Sequence, residues 1–589
     1  MKRAANILVL PTEEKFPSLR TAYLVSQGLT EEEVNPSFDM AATSEIRGMK
    51  EAVGMFREAL AQGEGFGLVG DYDVDGIAGT AGPYLALKEA GVKVKVHIPN
   101  RELGFGLQVD AVDRMAEAGM KFIITIDNGT AAVKAVQHAK DLGLKVIVLD
   151  HHPAPDWGNV APADVIVNVS HPDSDPKYAM MSGAAVAYAF IYNLAKEGVI
   201  SVKDIEKYSA FAAFGIIADV VNLRGINRPI VSLGLSRCRE FIGFNALANL
   251  QGKWIGDVPK AQEVAFQLAP RLNAAGRLGD ARDAFKLLIT DDVNVAKDLA
   301  AALDKINHDR QTKVNLAMRE ADKMVAGLDE SWETITLWGP AEDEYTEDQE
   351  TGLKTLVRAG WTHGIVGLIA GKIAERYARP TFIGSLEAPV VGEDGSVQPA
   401  VVRGSARAGG GVPCGPLLAE ANKAMLAATD EELFTKFGGH DDAAGFTTTA
   451  DRMEAIAGAL HHAALDLLQG RPVERKGHVI KVDARWPLPF QYEIGELQSL
   501  EPTGQGLEPA TIISENVKVT KYNWTGKVLR LEVIDERMPN PRQLMAFKEM
   551  PLNEGDVADI TYAVAPDGSL MVRDITNVRR PAERDLFAV

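Results

Sequence analysis

The sequence is short of three things, and each shortage closes off a class of protein. Two cysteines, Cys238 and Cys414, are all it has, and neither stands in a pair with metal-ligand spacing. A disulfide framework and a thiolate metal site are thereby excluded, and both residues are read as incidental. No apolar run approaches the roughly 18 residues that a membrane-spanning helix needs. The apolar start, Ala4 to Leu10, is short and is followed at once by Pro11-Thr12-Glu13-Glu14-Lys15, which does not suit a secretory signal. A cytoplasmic location is expected. Cations are also outnumbered, 62 Lys and Arg against 81 Asp and Glu: the net charge of −19 argues against indiscriminate coating of nucleic acid and confines any phosphate-binding groups to a cleft. Taken alone, that balance slightly favours a small-molecule substrate. The 589 residues call for three or four units rather than one core.

What is present is a series of apolar, strand-like runs that end in acids or imidazoles. Val146 to Leu149 runs into Asp150, His151 and His152, residue types that favour divalent metals. The bland alternative is that Asp150 caps a turn and the histidines are solvated. Gly65 to Gly70 opens into Asp71-Tyr72-Asp73-Val74-Asp75-Gly76, with carboxylates at alternating positions. Lys121 to Ile126 ends in Asp127-Asn128-Gly129, and Val92 to Ile98 and Asp164 to Asn168 read as further strands. Segments of helical period lie between them, Ala78 to Ala90 and Ala131 to Leu142. The alternation predicts an α/β fold with a doubly wound, mostly parallel sheet, whose sites form at the carboxyl ends of the strands. Asp73, Asp75, Asp127, His151 and His152 all fall at that edge. Asp219 lies in the apolar segment Phe211 to Leu223; buried, it needs a cation partner, which Arg224 or Arg228 could supply.

These residues carry a resemblance to the RecJ-type single-strand exonucleases of the DHH phosphoesterase superfamily. Asp71 to Gly76 resembles the first motif, Ile126 to Gly129 the third, and Asp150-His151-His152 the motif that names the superfamily. The likeness covers nearly the whole chain. It implies two divalent metal ions, Mn²⁺ or Mg²⁺, bridged by Asp127 and held by Asp73, Asp75, His151 and Asp219. Asp71, also a candidate ligand, and His152 would lie close by and orient water or phosphate. Hard oxygen ligands with a minority of imidazole suit these ions better than zinc. Many members have a histidine in the first motif where this chain has aspartates, so the ligand set of the first metal stays open. The resemblance further implies hydrolysis of single-stranded DNA from its 5′ end to 5′-mononucleotides, in repair and recombination. A single-strand-binding protein or helicase is an expected partner, and the chain is expected to be a monomer.

Candidate substrate residues follow along the chain. Arg101, beside the glycine-rich Gly104-Phe105-Gly106, offers a planar fork for a phosphate, and the resemblance places it near the 5′ end. Arg271, Asn273 and Arg277 stand among small residues that a phosphodiester backbone can approach. In the alternative reading the two arginines pair with Asp280 or Asp283 at a helix start. Asp291 to Gly327 predicts a long helix, polar on most faces, which suits a bridge between units. Beyond it, Arg403 to Arg407 and Phe437 to His440 resemble the DHH-associated domain. There Ser405 and Arg407 are implied to receive the 5′ terminus and His440 to touch a phosphate, although the stretch after Arg407 is richer in glycine than in the family. The last part turns to short strands that fit a small β-barrel of the oligonucleotide-binding type. Lys518, Lys521, Lys527 and Arg530 surround Tyr522 and Trp524 there, as unpaired bases require, though exposed lysines on strands are also ordinary. The expected division is a lead-in over 1–45, a catalytic domain over 46–290, a connecting helix over 291–328, an associated domain over 329–470 and a barrel over 471–589. Three rival functions are a phosphodiesterase for short oligoribonucleotides or cyclic dinucleotides, a non-catalytic DNA-binding replication scaffold, and an inorganic pyrophosphatase.

Overall fold

The computed structural model describes residues 5–9, 15–34, 39–101, 104, 106–154, 156–250, 258–347, 354–391, 397–439, 441–471, 473 and 476–580. The chain divides into two compact units. Leu10–Lys305 and Lys481–Val589 form one, and Met1–Val9 and Ile306–Ile480 form the other.

In the first unit the strand-like runs become a parallel sheet of β1 (Phe66–Val69), β2 (Val94–His97), β3 (Phe122–Ile126), β4 (Lys145–Asp150) and β5 (Val165–Asn168). Their order is β2-β1-β3-β4-β5. Every residue of β1 and β3 is buried, as expected of parallel strands covered on both faces. Helix α1 (Val74–Glu89) begins inside the first acidic motif, earlier than its apolar period suggests, because the Asp73 carboxylate caps it by accepting from Gly76 N at 3.1 Å. Helices α2 (Gly183–Lys196) and α3 (Ser209–Ala218) are rich in alanine and almost wholly buried, so they pack close to α1 and to each other. The sheet grows in one direction from β1 to β2 and in the other from β1 through β3. The crevice at this switch point is where an open α/β sheet holds its ligands.

The same unit contains a closed ring of strands. Thr511–Trp524, Leu529–Ile534, Arg542–Ala546, Leu570–Arg579 and Val557–Val564 pair in that order, and the last pairs back with the first. Ile512, Val519, Leu531, Leu544, Ile560 and Tyr562 fill it. The lead-in is not a bystander: Leu19, Ala22, Tyr23 and Leu24 of the helix Leu19–Ser26 join this core.

The 34-residue helix Val293–Ala326 carries the chain into the second unit. There the strands Lys436–Gly439, Ala443–Thr449, Val401–Arg407, Thr381–Leu386 and Ile335–Pro340 form one sheet in that order. Both cysteines are buried and free. Among the described residues no helix is long and apolar enough to cross a membrane.

Candidate metal centre

The carboxyl ends of β1, β3 and β4 deliver their acids to one place. Three groups of side chains each bring ligand atoms within 4.8 Å of one another: Asp71, Asp73 and Asp127; Asp127, His151 and His152; and Asp75, His151 and Asp219. Asp127 belongs to two of them, and so does His151. Asp127 follows β3 with a left-handed backbone, φ 64°, which asparagine and aspartate tolerate better than other side chains. His151 Nε2 lies 3.1 Å from Asp127 Oδ1, 3.6 Å from Asp219 Oδ2 and 3.8 Å from Asp75 Oδ2. Asp75 is aimed by the start of α2, where Gly183 N and Ala184 N donate to it at 2.7 and 3.2 Å. The back wall is built without side chains. A Cβ on Gly183 would stand 2.5 Å from that of Asp127, and one on Gly215 would stand 2.2 Å from Asp75 Oδ1.

Electrostatics mark the cluster as incomplete without cations. Burial and the neighbouring Asp73 push the Asp71 carboxyl up to about 8. Burial with Asp75 and Asp73 does the same for Asp219, also to about 8. Burial and four surrounding carboxylates raise Asp127 well above the usual range. Among the described residues, buried Asp71 Oδ2 and Asp127 Oδ1 have no hydrogen-bond partner, the latter despite its nearness to His151. Buried oxygens without donors, next to an imidazole kept neutral by burial, fit divalent ions.

Asp150 behaves differently from the acids around it. Its oxygens accept from Thr130 N at 3.1 Å, His151 N at 2.8 Å, His152 N at 3.1 Å and His152 Nδ1 at 2.9 Å. Against the pull of burial, the bond with His152 holds it below the carboxylate range. Burial lowers His152 in turn, yet Asp150 raises it to about 9. Asp150 therefore orients the histidines rather than facing a ligand. Asn168, opposite Asp150 in the sheet register, donates to the His152 carbonyl at 2.9 Å, and Ser170 donates to that of His151. Sequence reading missed both; their place at the end of β5 was the available signal.

The candidate substrate residues separate on inspection. Arg101 lies over the Tyr72 ring at 4.3 Å and donates to Gly276 O at 2.9 Å, which brings it to the first motif. Asn273 Oδ1 accepts from Val74 N at 3.2 Å and so braces the start of α1. Arg277 is half-buried one turn further along the same helix, Ala269–Leu278. Arg271 is buried, with Nε 2.7 Å from Asp304 Oδ1, while Asp280 and Asp283 pair with Arg282 and Lys286. Neither Arg224 nor Arg228 serves Asp219: both donate to backbone carbonyls of the chain around 500–506. In the second unit Arg407 donates to Ser405 Oγ at 2.7 Å. His440 lies outside the described residues. Tyr522 and Trp524 are half-buried on the ring of strands, alternating with exposed Lys521 and Asn523.

Comparison with known proteins agrees with this geometry. Residues 66–216 match the DHH family, N-terminal domain, and residues 350–464 match the DHHA1 domain. The chain is 31% identical over 551 residues to the single-stranded-DNA-specific exonuclease RecJ of Bacillus subtilis; the match covers 91% of this chain and spans 63% of that protein's length. It is 32% identical over 427 residues to the protein of the same name from Dickeya dadantii, covering 69% of this chain and 68% of that one. In fold it is similar to the crystal structure of RecJ from Thermus thermophilus in complex with Mn²⁺, with a TM-score of 0.73 and 25% identity over 98% of this chain and 80% of that one. The chain belongs to the RecJ family of single-stranded-DNA-specific exonucleases.

Proposed function

We propose that the chain is a metal-dependent phosphodiester hydrolase that degrades single-stranded DNA from its 5′ end and releases 5′-mononucleotides. The observation that carries the metal-dependent hydrolysis is the overlap of three ligand groups at the switch point, with Asp127 common to two of them, while strand preference and polarity rest on the likeness to the RecJ exonucleases. Asp71, Asp73, Asp75, Asp127, His151 and Asp219 are the residues that would hold two ions of Mn²⁺ or Mg²⁺, with Asp127 common to two of the ligand groups. Bound there, such a pair would supply a water of lowered pKa and a counter-charge for the phosphate.

The chain's own residues supply the rest. His152, hydrogen-bonded through Nδ1 to Asp150 at 2.9 Å, orients water or a phosphate oxygen. Asn273 fixes the turn that carries Asp73. Arg101, steadied on Tyr72, and Arg277 hold phosphate oxygens, whereas Arg271, matched by Asp304, serves as a strut. Ser405, Arg407 and His440 are assigned to the 5′ end and its phosphate on resemblance. A closed five-stranded ring with basic residues around Tyr522 and Trp524 supports an oligonucleotide-binding role for the C-terminal domain. A cytoplasmic monomer with a single-strand-binding protein or helicase as partner belongs to the same reading.

Digestion of single-stranded DNA labelled at either end, with Mn²⁺ and with or without a 5′ phosphate, tests it. The wild type is expected to release mononucleotides from the 5′ end, and Asp127→Asn to release none. Intact DNA alongside cleaved dinucleotides would hand the site to a small substrate; bound but uncut DNA would make the protein a scaffold.

A further inference from the structure

Asp219 closes helix α3, and the residue after it is strained. Val220 has φ 58°, a left-handed conformation that a β-branched residue rarely adopts, and its side chain is 62% exposed. A strained loop persists only where its surroundings impose it. Asn227 holds the loop from its own domain by donating to Asn222 O at 2.8 Å, and the rest of the support comes largely from the C-terminal domain, up to 282 residues away in sequence. Leu223 N donates to Gln505 O at 2.8 Å. Gly504 and Gly506 lie flat against the loop: a Cβ on Gly504 would stand 2.7 Å from Leu223 Cδ1, and one on Gly506 would stand 2.3 Å from Asn222 Oδ1. Arg224 clamps the pair by donating to Gly506 O at 2.5 Å and to Gln27 O at 3.0 Å. Arg228, buried, donates to Leu500 O and Pro502 O, each at 2.7 Å.

We infer that the segment Leu500–Leu507 is the positioning element for Asp219, so that docking of the C-terminal domain sets the affinity of one of the two metal ions. The inference rests on the two-metal reading above. Its consequence is that the domain assigned to hold unpaired bases also tunes the metal centre, through Asn222 and Leu223 rather than through the substrate.

Titration of the full-length protein with Mn²⁺, followed by calorimetry and by thermal melting, tests it. Gly63→Ala is the control, because Gly63 shares a left-handed backbone, φ 75°, and has open space around it. Wild type and Gly63→Ala are expected to bind two equivalents alike. Gly506→Ala is expected to keep one and to bind the other about tenfold or more weakly, as loss of support behind a ligand typically does. Adding Asn222→Gly, which makes room for the new methyl, should restore it. Two equivalents at wild-type affinity in Gly506→Ala would overturn the inference. Should that variant fail to fold, Arg224→Ala, which adds no bulk, decides in the same way. Fewer than two equivalents in the wild type would instead overturn the two-metal reading.

Discussion

The sheet edge and the C-terminal ring both bury carboxylates, and they treat them in opposite ways. On the helix Gln491–Gln498, which packs into the core of the ring, Glu493 accepts from Trp486 Nε1 at 3.1 Å and from Phe490 N and Arg537 Nη2 at 2.6 Å, so its oxygens are matched by donors. Asp559 accepts from Asn516 N at 2.8 Å and from Asn577 Nδ2 at 2.5 Å. At the sheet edge the acids face one another, and Asp71 and Asp127 keep buried oxygens without donors. Burial with donors holds a fold together, whereas burial without them stores a demand for a ligand. The number of buried acids is no guide to function; what faces them is.

Exchanging the roles tests this contrast. Asp127→Asn keeps the left-handed backbone and removes the charge; turnover is expected to fall by about a thousandfold or more, as loss of a transition-state electrostatic partner commonly causes. The same variant, stripped of metal, should be more stable than the wild type by about 1–3 kcal/mol, with a higher melting point, because an ionisable carboxyl no longer has to be buried among other acids. A lower melting point would show that Asp127 is matched by the protein after all. Glu493→Ala should do the reverse, losing about 2–4 kcal/mol in chemical denaturation while Mn²⁺ binding is unchanged.

The smallest effect is in pH. Asp71 and Asp219 retain protons up to about 8 in the folded, metal-free protein, whereas the unfolded chain releases them near the ordinary carboxylate value. Their contribution to stability is therefore fully present below about pH 4 and lost as pH rises through about 8. Thermal melts of chelated protein between about pH 6 and about pH 9 should drift downward by a few degrees, and saturating Mn²⁺ should flatten the drift. A chelated protein that melts higher at the alkaline end would contradict the crowding of these acids.

Much of this edge was legible because the pattern is local: an apolar run and then an acid, three times over, with a helix following the first two. Asp73, Asp75, Asp127 and His151 could be read from that alone. The separation of Asp150 from its neighbours could not, since only backbone donors from Thr130, His151 and His152 reveal that it orients rather than binds. The pairing of Arg271 with Asp304 could not be read either, because that partner lies on another helix. The lead-in helix likewise gave no hint of its place, since its apolar face is completed by residues near the other end of the chain.

The bare wall behind the acids has a consequence for how this protein can fail. Gly183 and Gly215 have no side chain and carry no charge, yet one added carbon at either would meet Asp127 or Asp75 well inside van der Waals contact. A mould this tight is spoiled by filling as readily as by emptying. Inactive alleles of the gene should therefore include gains of a single methyl at positions with no chemistry of their own.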